Sequence, residues 1–519
     1  MTPRFSNRSI TRRRALQVGV GAGLFAVAGP QAAHHTVAQG ATPGVITIPD
    51  PEAELPTDEV TFRWIDSGDL KAYFYREYFA AYQQAHPNIT IQYDALPWAE
   101  ITQLVPLGVR NGDAHDVFAM PPEIPAAQAV QEGWVAPLDD IIPNFAEWKA
   151  GFPLGAFQDG VHVFDGKTYT FPVTSNKRYS TLTFFNPALM ESAGYNPAED
   201  PLNWDEFRDA AKKITDAGQG QSYGLILGGK EAGPFADFVG NLARMAGRPA
   251  SSTHIDWLTG EYVYGSDEYV AAVELLLALN ADGSIFPGAL SLGAYDARAR
   301  FPTGVAGMIL SGPWDIVNYQ RDNPEFAFGL GSSPVAEGSD VGTGILTYEE
   351  SGANLNWVFA QSPNKAIAGD MFSYIGSVDG QVAIMAATNG NLRSLFPEAA
   401  RIAQETLTFD PMAATALALF EEQIRLGPMV FVRNPETAAV NNELRALTPS
   451  FGEVVQGIFS GQLSDPKAAM QDLQDRANAE LDRAIKAAQD KGAQVSRDDW
   501  VFPNWDPTQD YTEAMYEAL

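Results

Sequence analysis

A regular alternation of strand and helix patterns begins near residue 60. Residues 60–65 form an apolar, β-prone run that ends in the turn signal of residues 66–69. A helix follows, in which apolar side chains recur every four positions until His86. Residues 89–93 alternate as a second strand, and residues 116–120 form a third. This order predicts a parallel sheet covered by helices.

The carboxyl ends of these strands mark a candidate ligand site. Parallel sheets of this kind bind ligands at the edge where their strands end. Asp66, Ser67 and Asp69 follow the first predicted strand, and Met120 and Glu123 follow the third. We therefore expect these five residues to lie near a ligand.

A further helix is indicated by its start signal. Asn203 can cap a helix whose third residue, Glu206, reaches back to the cap, which is a capping box. Trp204, Phe207 and Ala211 then form an apolar stripe at helical spacing. The pattern predicts an amphipathic helix from about residue 204.

Length and composition narrow the class of protein. A chain of 519 residues exceeds what one hydrophobic core usually organises, so we expect two lobes. The net charge of −30 disfavours nucleic acid and anionic lipid as partners. The chain has no cysteine, which excludes disulfides, thiolate metal sites and a lipid-modified cysteine anchor. We expect no cofactor and a monomer.

The first 33 residues have the pattern of a signal peptide. They carry no acidic residue, a short apolar stretch at 18–28, and small residues at its exit. The adjacent Arg12 and Arg13 resemble the twin-arginine export motif. Residues 34–57 are rich in Pro, Ala, Thr and Gly, which predicts a flexible linker. We therefore expect export to the periplasm or the outer face of the cytoplasmic membrane.

Five short motifs in a fixed order point to one family. They are Phe184-Phe185-Asn186-Pro187 with Ala193-Gly194, Asn203-Trp204-Asp205-Glu206, residues 301–308 with Gly312-Pro313-Trp314, Ser362-Pro363-Asn364-Lys365-Ala366, and residues 461–479. Over roughly residues 58–490 the chain resembles the family-1 bacterial extracellular solute-binding proteins, the sugar-binding subunits of ABC importers that include the maltodextrin binders. Phe185 replaces the family's usual tyrosine and Pro187 its lysine, so the roles of those two positions do not carry over.

The resemblance implies a periplasmic-binding-protein type II fold, in which two α/β lobes meet at a hinge and enclose a ligand cleft. Lobe one would comprise 58–175 and 341–386, and lobe two 176–340 and 387–490. Residues 491–519 depart from the family pattern and form an aromatic C-terminal tail. That tail either packs onto lobe two or docks near the cleft or a partner.

The resemblance also implies a set of ligand residues. Trp314 occupies the position at which relatives stack a sugar ring, and Asp315 beside it could accept hydroxyl hydrogen bonds. Ser362 is expected to cap the helix that its motif begins. Arg393 would either clamp an acidic sugar or hold the hinge by an ion pair, and we favour the hinge. The remaining candidates lie at the chain crossings: Tyr179, Glu349, Asn354 and Trp357.

The function implied is capture of a sugar or oligosaccharide for delivery to a membrane permease, without catalysis. A secreted carbohydrate-active enzyme is the weaker alternative, because the visible acidic pairs are adjacent residues that point apart rather than across a bond. A binder of a cationic solute such as a polyamine is the more serious alternative, because the chain is acidic overall.

Overall fold

The computed structural model describes residues 46–68, 70–121, 124–248, 250–336, 344–350 and 355–519. The predicted signal peptide, together with Asp69, Glu123 and Asn354, lies outside the described residues. The strands are β1 (Val60–Ser67), β2 (Ile89–Leu96), β3 (Val117–Phe118), β4 (Val163–Phe164), β5 (Lys167–Thr168), β6 (Leu182–Phe185), β7 (Tyr223–Leu225), β8 (Ile255–Asp256), β9 (Glu261–Tyr262), β10 (Ala306–Ser311), β11 (Gly329–Gly331), β12 (Leu346–Tyr348), β13 (Trp357–Val358) and β14 (Ile424–Leu426).

Helices cover and connect these strands. The α-helices are α1 (Lys71–Ala85), α2 (Trp98–Asn111), α3 (Ala126–Gln131), α4 (Phe145–Ala150), α5 (Pro187–Ala193), α6 (Trp204–Gly218), α7 (Gly233–Met245), α8 (Asp267–Ala281), α9 (Ala294–Arg300), α10 (Trp314–Asp322), α11 (Lys365–Ile375), α12 (Val378–Ala387), α13 (Pro397–Thr406), α14 (Pro411–Gln423), α15 (Val430–Arg433), α16 (Ala438–Asn441), α17 (Phe451–Phe459), α18 (Pro466–Asp490) and α19 (Glu513–Glu517). Short 3₁₀ turns lie at Leu138–Asp140, Ala289–Ser291, Phe301–Thr303, Pro435–Thr437 and Arg497–Trp500. No helix in these described ranges is long and apolar enough to cross a membrane.

The first sheet has the strand order β13-β3-β1-β2, with β1 parallel to both β2 and β3. This confirms the parallel pairing predicted for these three strands, although the third strand is only two residues long and β13 pairs with it antiparallel. Trp64 on β1 is fully buried, and its ring lies 5.0 Å from Tyr75 and 5.7 Å from Phe372. The four-residue spacing of α1 places Phe74 and Tyr78 in the same core, as the periodicity predicts.

The second sheet has the strand order β11-β6-β10-β7. Strand β10 runs antiparallel to β6 and parallel to β7. Helix α6 packs against β7 and begins with the predicted capping box. The Glu206 backbone N–H donates to Asn203 Oδ1 at 2.9 Å, and the Asn203 N–H donates to Glu206 Oε2 at 3.0 Å.

Along the described residues, the chain passes in three places between the first core, around Trp64, and a second core that contains Phe184 and Ile309 of the second sheet. Val173 belongs to the first core and Tyr179 to the second, so the first passage lies between them. Leu346 still packs in the second core, and Phe396 and Ala399 still pack in the first. The later passages therefore lie beyond the predicted lobe boundaries at 340 and 386. The last passage lies beyond 386 because α13 packs against α12. The spacing of motifs along the sequence does not show on which core a helix such as α13 packs.

Hydrogen bonds join the three passages. The Ser175 hydroxyl donates to Glu350 Oε2 at 2.9 Å, and the Ser175 backbone N–H donates to the Arg393 carbonyl at 2.9 Å. Lys177 Nζ lies 2.6 Å from Glu421 Oε2, and the Arg393 guanidinium is ion-paired with the same carboxylate. The contact of Arg393 with Glu421 is of the kind expected for a hinge ion pair.

Two segments outside the sheets also pack onto the molecule. Ile46, Ile48 and Leu55 contact the first core, so residues 46–57 are packed along the surface rather than forming part of a free linker. At the other end, Phe502 and Tyr511 bury their rings against Trp257. Apolar side chains placed next to a core gain burial even without regular secondary structure.

Helix α11 begins two residues later than predicted. Its N-cap is Asn364 rather than Ser362. The Ser362 hydroxyl instead donates to Asp116 Oδ1 at 2.6 Å and accepts from the Asn364 N–H. The cap prediction for Ser362 is therefore wrong, because a distant carboxylate competes for its hydroxyl.

Candidate functional site

Two adjoining cavities lie beside Trp314. The larger has a volume of about 350 Å³ and the smaller about 110 Å³. Both are lined by Ser180, Asp237 and Trp314, so these side chains stand between the two chambers. A more open groove of about 630 Å³ lies beside residues 135–143, and no aromatic ring lines it. We therefore take the paired cavities as the candidate site.

The Trp314 ring is held by the turn that precedes it. Strand β10 ends at Ser311, and α10 begins at Trp314 after Gly312 and Pro313. A Cβ on Gly312 would lie 2.3 Å from the Trp314 ring, so only glycine allows the ring to fold over the turn. The Arg178 guanidinium lies 5.9 Å from the ring centroid. The indole therefore presents a fixed flat surface at the junction of the chambers.

Helix α7 presents a polar face to the larger cavity. Asp237, Asn241 and Arg244 all line it, at positions i, i+4 and i+7 on the same face of the helix. The Arg244 guanidinium donates to Asn241 Oδ1 at 2.7 Å and to the Thr347 carbonyl at 3.4 Å. Asp237 is accessible through the cavity, but surrounding protein raises the pKa of its carboxyl group by desolvation. The face thus offers a carboxylate, an amide and a fixed cation.

The end of β12 contributes the second carboxylate. Glu349 lines the larger cavity and accepts the Ser252 backbone N–H at 3.3 Å. Burial raises the pKa of Glu349, while Ser252 and Arg244 favour its charged form. Tyr348 lies beside it, and burial raises the pKa of its phenol. The cavity therefore pairs hydrogen-bond acceptors with an aromatic surface.

The sequence pattern of the family described as bacterial extracellular solute-binding protein matches residues 67–382. The chain belongs to this family. A binding protein of Brucella abortus (strain 2308) is 28% identical over 271 residues, which are 52% of this chain and 62% of that relative. The match thus spans less than two thirds of the relative's length.

Solved structures of solute-binding proteins share the fold. An ABC transporter solute-binding protein from Thermotoga lettingae TMO, bound with α-D-tagatose, has 18% identity and a TM-score of 0.57, over 82% of this chain and 100% of that one. The Thermus thermophilus maltotriose-binding protein, bound with maltotriose, has 19% identity and a TM-score of 0.54, over 82% and 100%. These likenesses confirm the predicted two-lobed α/β type II fold.

Three of the predicted ligand residues of this solute-binding protein meet at the cavity. Tyr179, Trp314 and Glu349 all line it. The Tyr179 hydroxyl donates to Gln423 Oε1 at 2.6 Å, and its ring packs edge-on against Phe420. Tyr179 is therefore part of the wall, held from behind by its own hydroxyl.

Asp315 lies away from the cavity, although it adjoins Trp314. Its side chain is 1% exposed. It accepts the Ser311 hydroxyl at 2.6 Å and the Asn318 amide at 3.3 Å, and Arg298 lies 3.8 Å away. Burial raises the pKa of its carboxyl group. Asp315 therefore stabilises the start of α10 and does not face either chamber.

The described candidates at the ends of the first-sheet strands do not line these cavities. Asp66 is fully buried and forms an ion pair with Lys71 at 2.9 Å, and Ser67 is buried beside it. Trp357 is a core residue of β13, and the partly buried Met120 packs against the same cluster. The first-sheet candidates thus lie apart from the predicted residues that the cavity brings together. Arg393 also lies apart from these residues, because its guanidinium is ion-paired with Glu421.

The polar face of α7 was not predicted from the sequence. Asp237, Asn241 and Arg244 belong to none of the family-like motifs, yet they line the cavity together. Their spacing was a usable signal, because three polar residues at i, i+4 and i+7 share one face of a helix that is otherwise apolar. Within the described ranges, no group of three His, Asp or Glu side chains could hold a metal ion.

Proposed function

We propose that this protein is an exported solute-binding subunit of an ABC importer that binds a sugar or oligosaccharide and delivers it unchanged to a membrane permease. The observation that carries the proposal is the Trp314 ring held between two chambers, with the carboxyl groups of Asp237 and Glu349 in the larger one. Sugars present apolar C–H faces and hydroxyl edges, so a binder needs a flat aromatic surface and nearby acceptors. The site has both.

Each part of the site has a role in this proposal. The Trp314 ring would stack on a sugar face, and Asp237 and Glu349 would accept hydroxyl hydrogen bonds. Asn241 would donate and accept, because its amide carries both groups. Arg178 already lies over the indole. A sugar on that same face would displace the guanidinium, which would then bond to the sugar edge.

The two chambers support a ligand of more than one ring. Their volumes are about 350 and 110 Å³, and they meet at Asp237 and Trp314. Pockets for small molecules commonly measure about 300–1,000 Å³. One ring would occupy the larger chamber, and the next would extend past the indole toward Arg298, which lines the smaller one.

A cationic ligand is the alternative that the site partly favours. Asp237 and Glu349 are two carboxylates in one cavity, and an aromatic ring lies between the chambers. Arg178 and Arg244 line the same cavity, however, and a bound polyamine would place further positive charge beside them. Like charges in a protein recess repel strongly because water screens them poorly. The balance of charges therefore favours a neutral sugar.

A thermal-shift screen tests this proposal. Mono- and oligosaccharides, with maltotriose and raffinose among them, are compared with spermidine and putrescine. A ligand at about 100 times its Kd adds roughly 2.7 kcal/mol of stability, which shifts the melting temperature measurably. We expect a shift with a saccharide and recovery of that saccharide unchanged. A shift with polyamines alone, or conversion of the sugar, would overturn the proposal.

A further inference from the structure

The C-terminal segment, residues 497–519, packs beside the candidate site. The rings of Phe502, Trp505 and Tyr511 enclose Trp257 in a small core of their own. The Phe502 backbone N–H also donates to the Trp257 carbonyl at 2.6 Å. The segment is thus joined to the body by both side-chain and backbone contacts.

The same segment bonds along the free edge of β14. The Leu426 N–H donates to Asp510 Oδ1 at 2.7 Å, and the Tyr511 N–H donates to the Leu426 carbonyl at 2.8 Å. Arg425 Nε donates to the Thr508 carbonyl at 3.0 Å. The Met429 N–H donates to the Tyr516 hydroxyl at 2.8 Å. Four hydrogen bonds therefore hold β14 and the residues that follow it.

Strand β14 in turn holds the cavity wall. It pairs in parallel with β12, so that Tyr348 lies opposite Leu426, and the Gly427 N–H donates to the Tyr348 carbonyl at 2.8 Å. Tyr348 and Glu349 line the larger cavity. Burial raises the pKa of both Tyr348 and Tyr516, and Asp510 and Glu349 add small contributions in the same direction across the contact between segment and wall.

We propose that the C-terminal segment is a positioning element of the ligand site: through Asp510 and Tyr516 it holds β14, and through β14 it sets the place of Tyr348 and Glu349. The inference rests on the proposed function for its ligand. The fixed wall matters because a carboxylate displaced by a fraction of an ångström loses a hydrogen bond to a sugar hydroxyl. Asp510 and Tyr516 thus act through β12 rather than by touching the ligand.

Single substitutions in the full chain test the inference. Asp510→Ala removes the acceptor of the Leu426 N–H, whereas Asp510→Asn keeps an acceptor oxygen and removes only the charge. Tyr516→Phe removes the acceptor of the Met429 N–H while it keeps the ring. Gln509→Ala is the matched control, because Gln509 bonds to Asp506 within the segment and its side chain makes no bond to β14.

The first readout is hydrogen–deuterium exchange without ligand. We expect faster exchange of residues 346–349 in Asp510→Ala and Tyr516→Phe, and exchange as in the parent for Asp510→Asn and Gln509→Ala. The second is titration with the saccharide that most stabilises the parent. Asp510→Ala and Tyr516→Phe should bind it about three- to tenfold more weakly, the loss expected for one misplaced hydrogen bond.

Unchanged exchange at residues 346–349 in both variants would overturn the inference, as would parent-like affinity despite faster exchange. If Asp510→Ala does not fold, Tyr516→Phe decides, because it keeps every apolar contact of the ring. Failure of the parent to bind any saccharide would count against the proposed function instead. The exchange result would then decide the positioning role on its own.

Discussion

Adjacent residues at the start of α10 have opposite surroundings. Trp314 lines both chambers, whereas Asp315 is buried and bonded to Ser311 and Asn318. On α7, Asp237 faces the cavity from a different part of the chain. At the scale of single residues, the site is therefore decided by side-chain direction rather than by residue type.

Truncation of Trp314 is expected to weaken sugar binding most. Trp314→Ala removes the flat surface between the chambers, and loss of a central aromatic contact typically costs about 2–4 kcal/mol, or roughly 30- to 1000-fold in affinity. Trp314→Phe should recover part of this loss, because a smaller ring still stacks. Calorimetric titration measures the affinity, and circular dichroism checks the fold. A folded Trp314→Ala protein that binds within threefold of the parent would show that the ring is only structural.

Asp237 and Asp315 form a matched pair for testing which carboxylate contacts the ligand. Asp237→Ala should weaken sugar binding about tenfold or more with little change in melting temperature, because it removes a charged acceptor that is accessible from the cavity. Asp315→Ala should instead lower the free energy of unfolding by about 1–3 kcal/mol, since it leaves buried donors without their acceptor. Titration and thermal unfolding separate the two effects. The reverse pattern would place the ligand at Asp315.

At the scale of elements, local signals decide where helices begin. The capping box of α6 has both of its reciprocal hydrogen bonds. Strand β7 and helix α6 pack together so closely that a Cβ on Gly224 would lie 2.2 Å from the Ala211 Cα. A helix that starts at the wrong residue would rotate its apolar stripe away from this contact. The cap therefore sets the register in which α6 meets the second sheet.

Loss of the α6 cap should cost stability without affecting the site directly. Asn203→Ala removes the acceptor for the Glu206 N–H, and such changes typically cost about 1 kcal/mol. Asn203→Asp keeps a capping oxygen and serves as the control. Chemical denaturation gives the free energy of unfolding for each variant. A stability equal to that of the parent in Asn203→Ala would indicate that tertiary contacts alone hold the start of α6.

At the scale of the whole molecule, α10 joins the two cores. Trp314 and Val317 pack against the first core, although α10 follows a strand of the second sheet. The Arg321 guanidinium donates to the Tyr73 hydroxyl on α1 at 2.8 Å. The passages of the chain meet at Ser175, Glu350 and Arg393. A ligand bound at Trp314 would therefore lie at the junction of the two cores, where it can influence their relative position.

We expect ligand to shift the protein toward a more closed arrangement. A ligand that contacts both cores favours the state in which they lie closer together. Small-angle scattering should then show a smaller radius of gyration in the parent saturated with sugar. Trp314→Ala at the same sugar concentration is the control, since it should remain largely unbound. An unchanged radius in the saturated parent would contradict closure.

Export by the twin-arginine route remains a prediction about residues outside the described ranges. Replacing Arg12 and Arg13 by lysine keeps the positive charge but removes the paired guanidinium groups. We expect the precursor to accumulate in the cytoplasm of cells that express this variant. Cell fractionation measures this accumulation, with Arg8→Lys as the control that leaves the pair intact. Normal export of the double variant would indicate that the motif is not used.

The sequence by itself determined the family, the fold class and the elements whose signals are local. Strand β1, helix α1 and the α6 capping box were all predicted, because hydrophobic periodicity and capping depend on residues only a few positions apart. Only the tertiary structure decided which carboxylates face the cavity. Asp66 belongs to the predicted ligand loop but pairs with Lys71 in the interior, whereas Asp237 faces a cavity whose walls also come from residues 176–180 and 346–349. Such a site depends on where distant segments pack, and no short stretch of sequence carries that information.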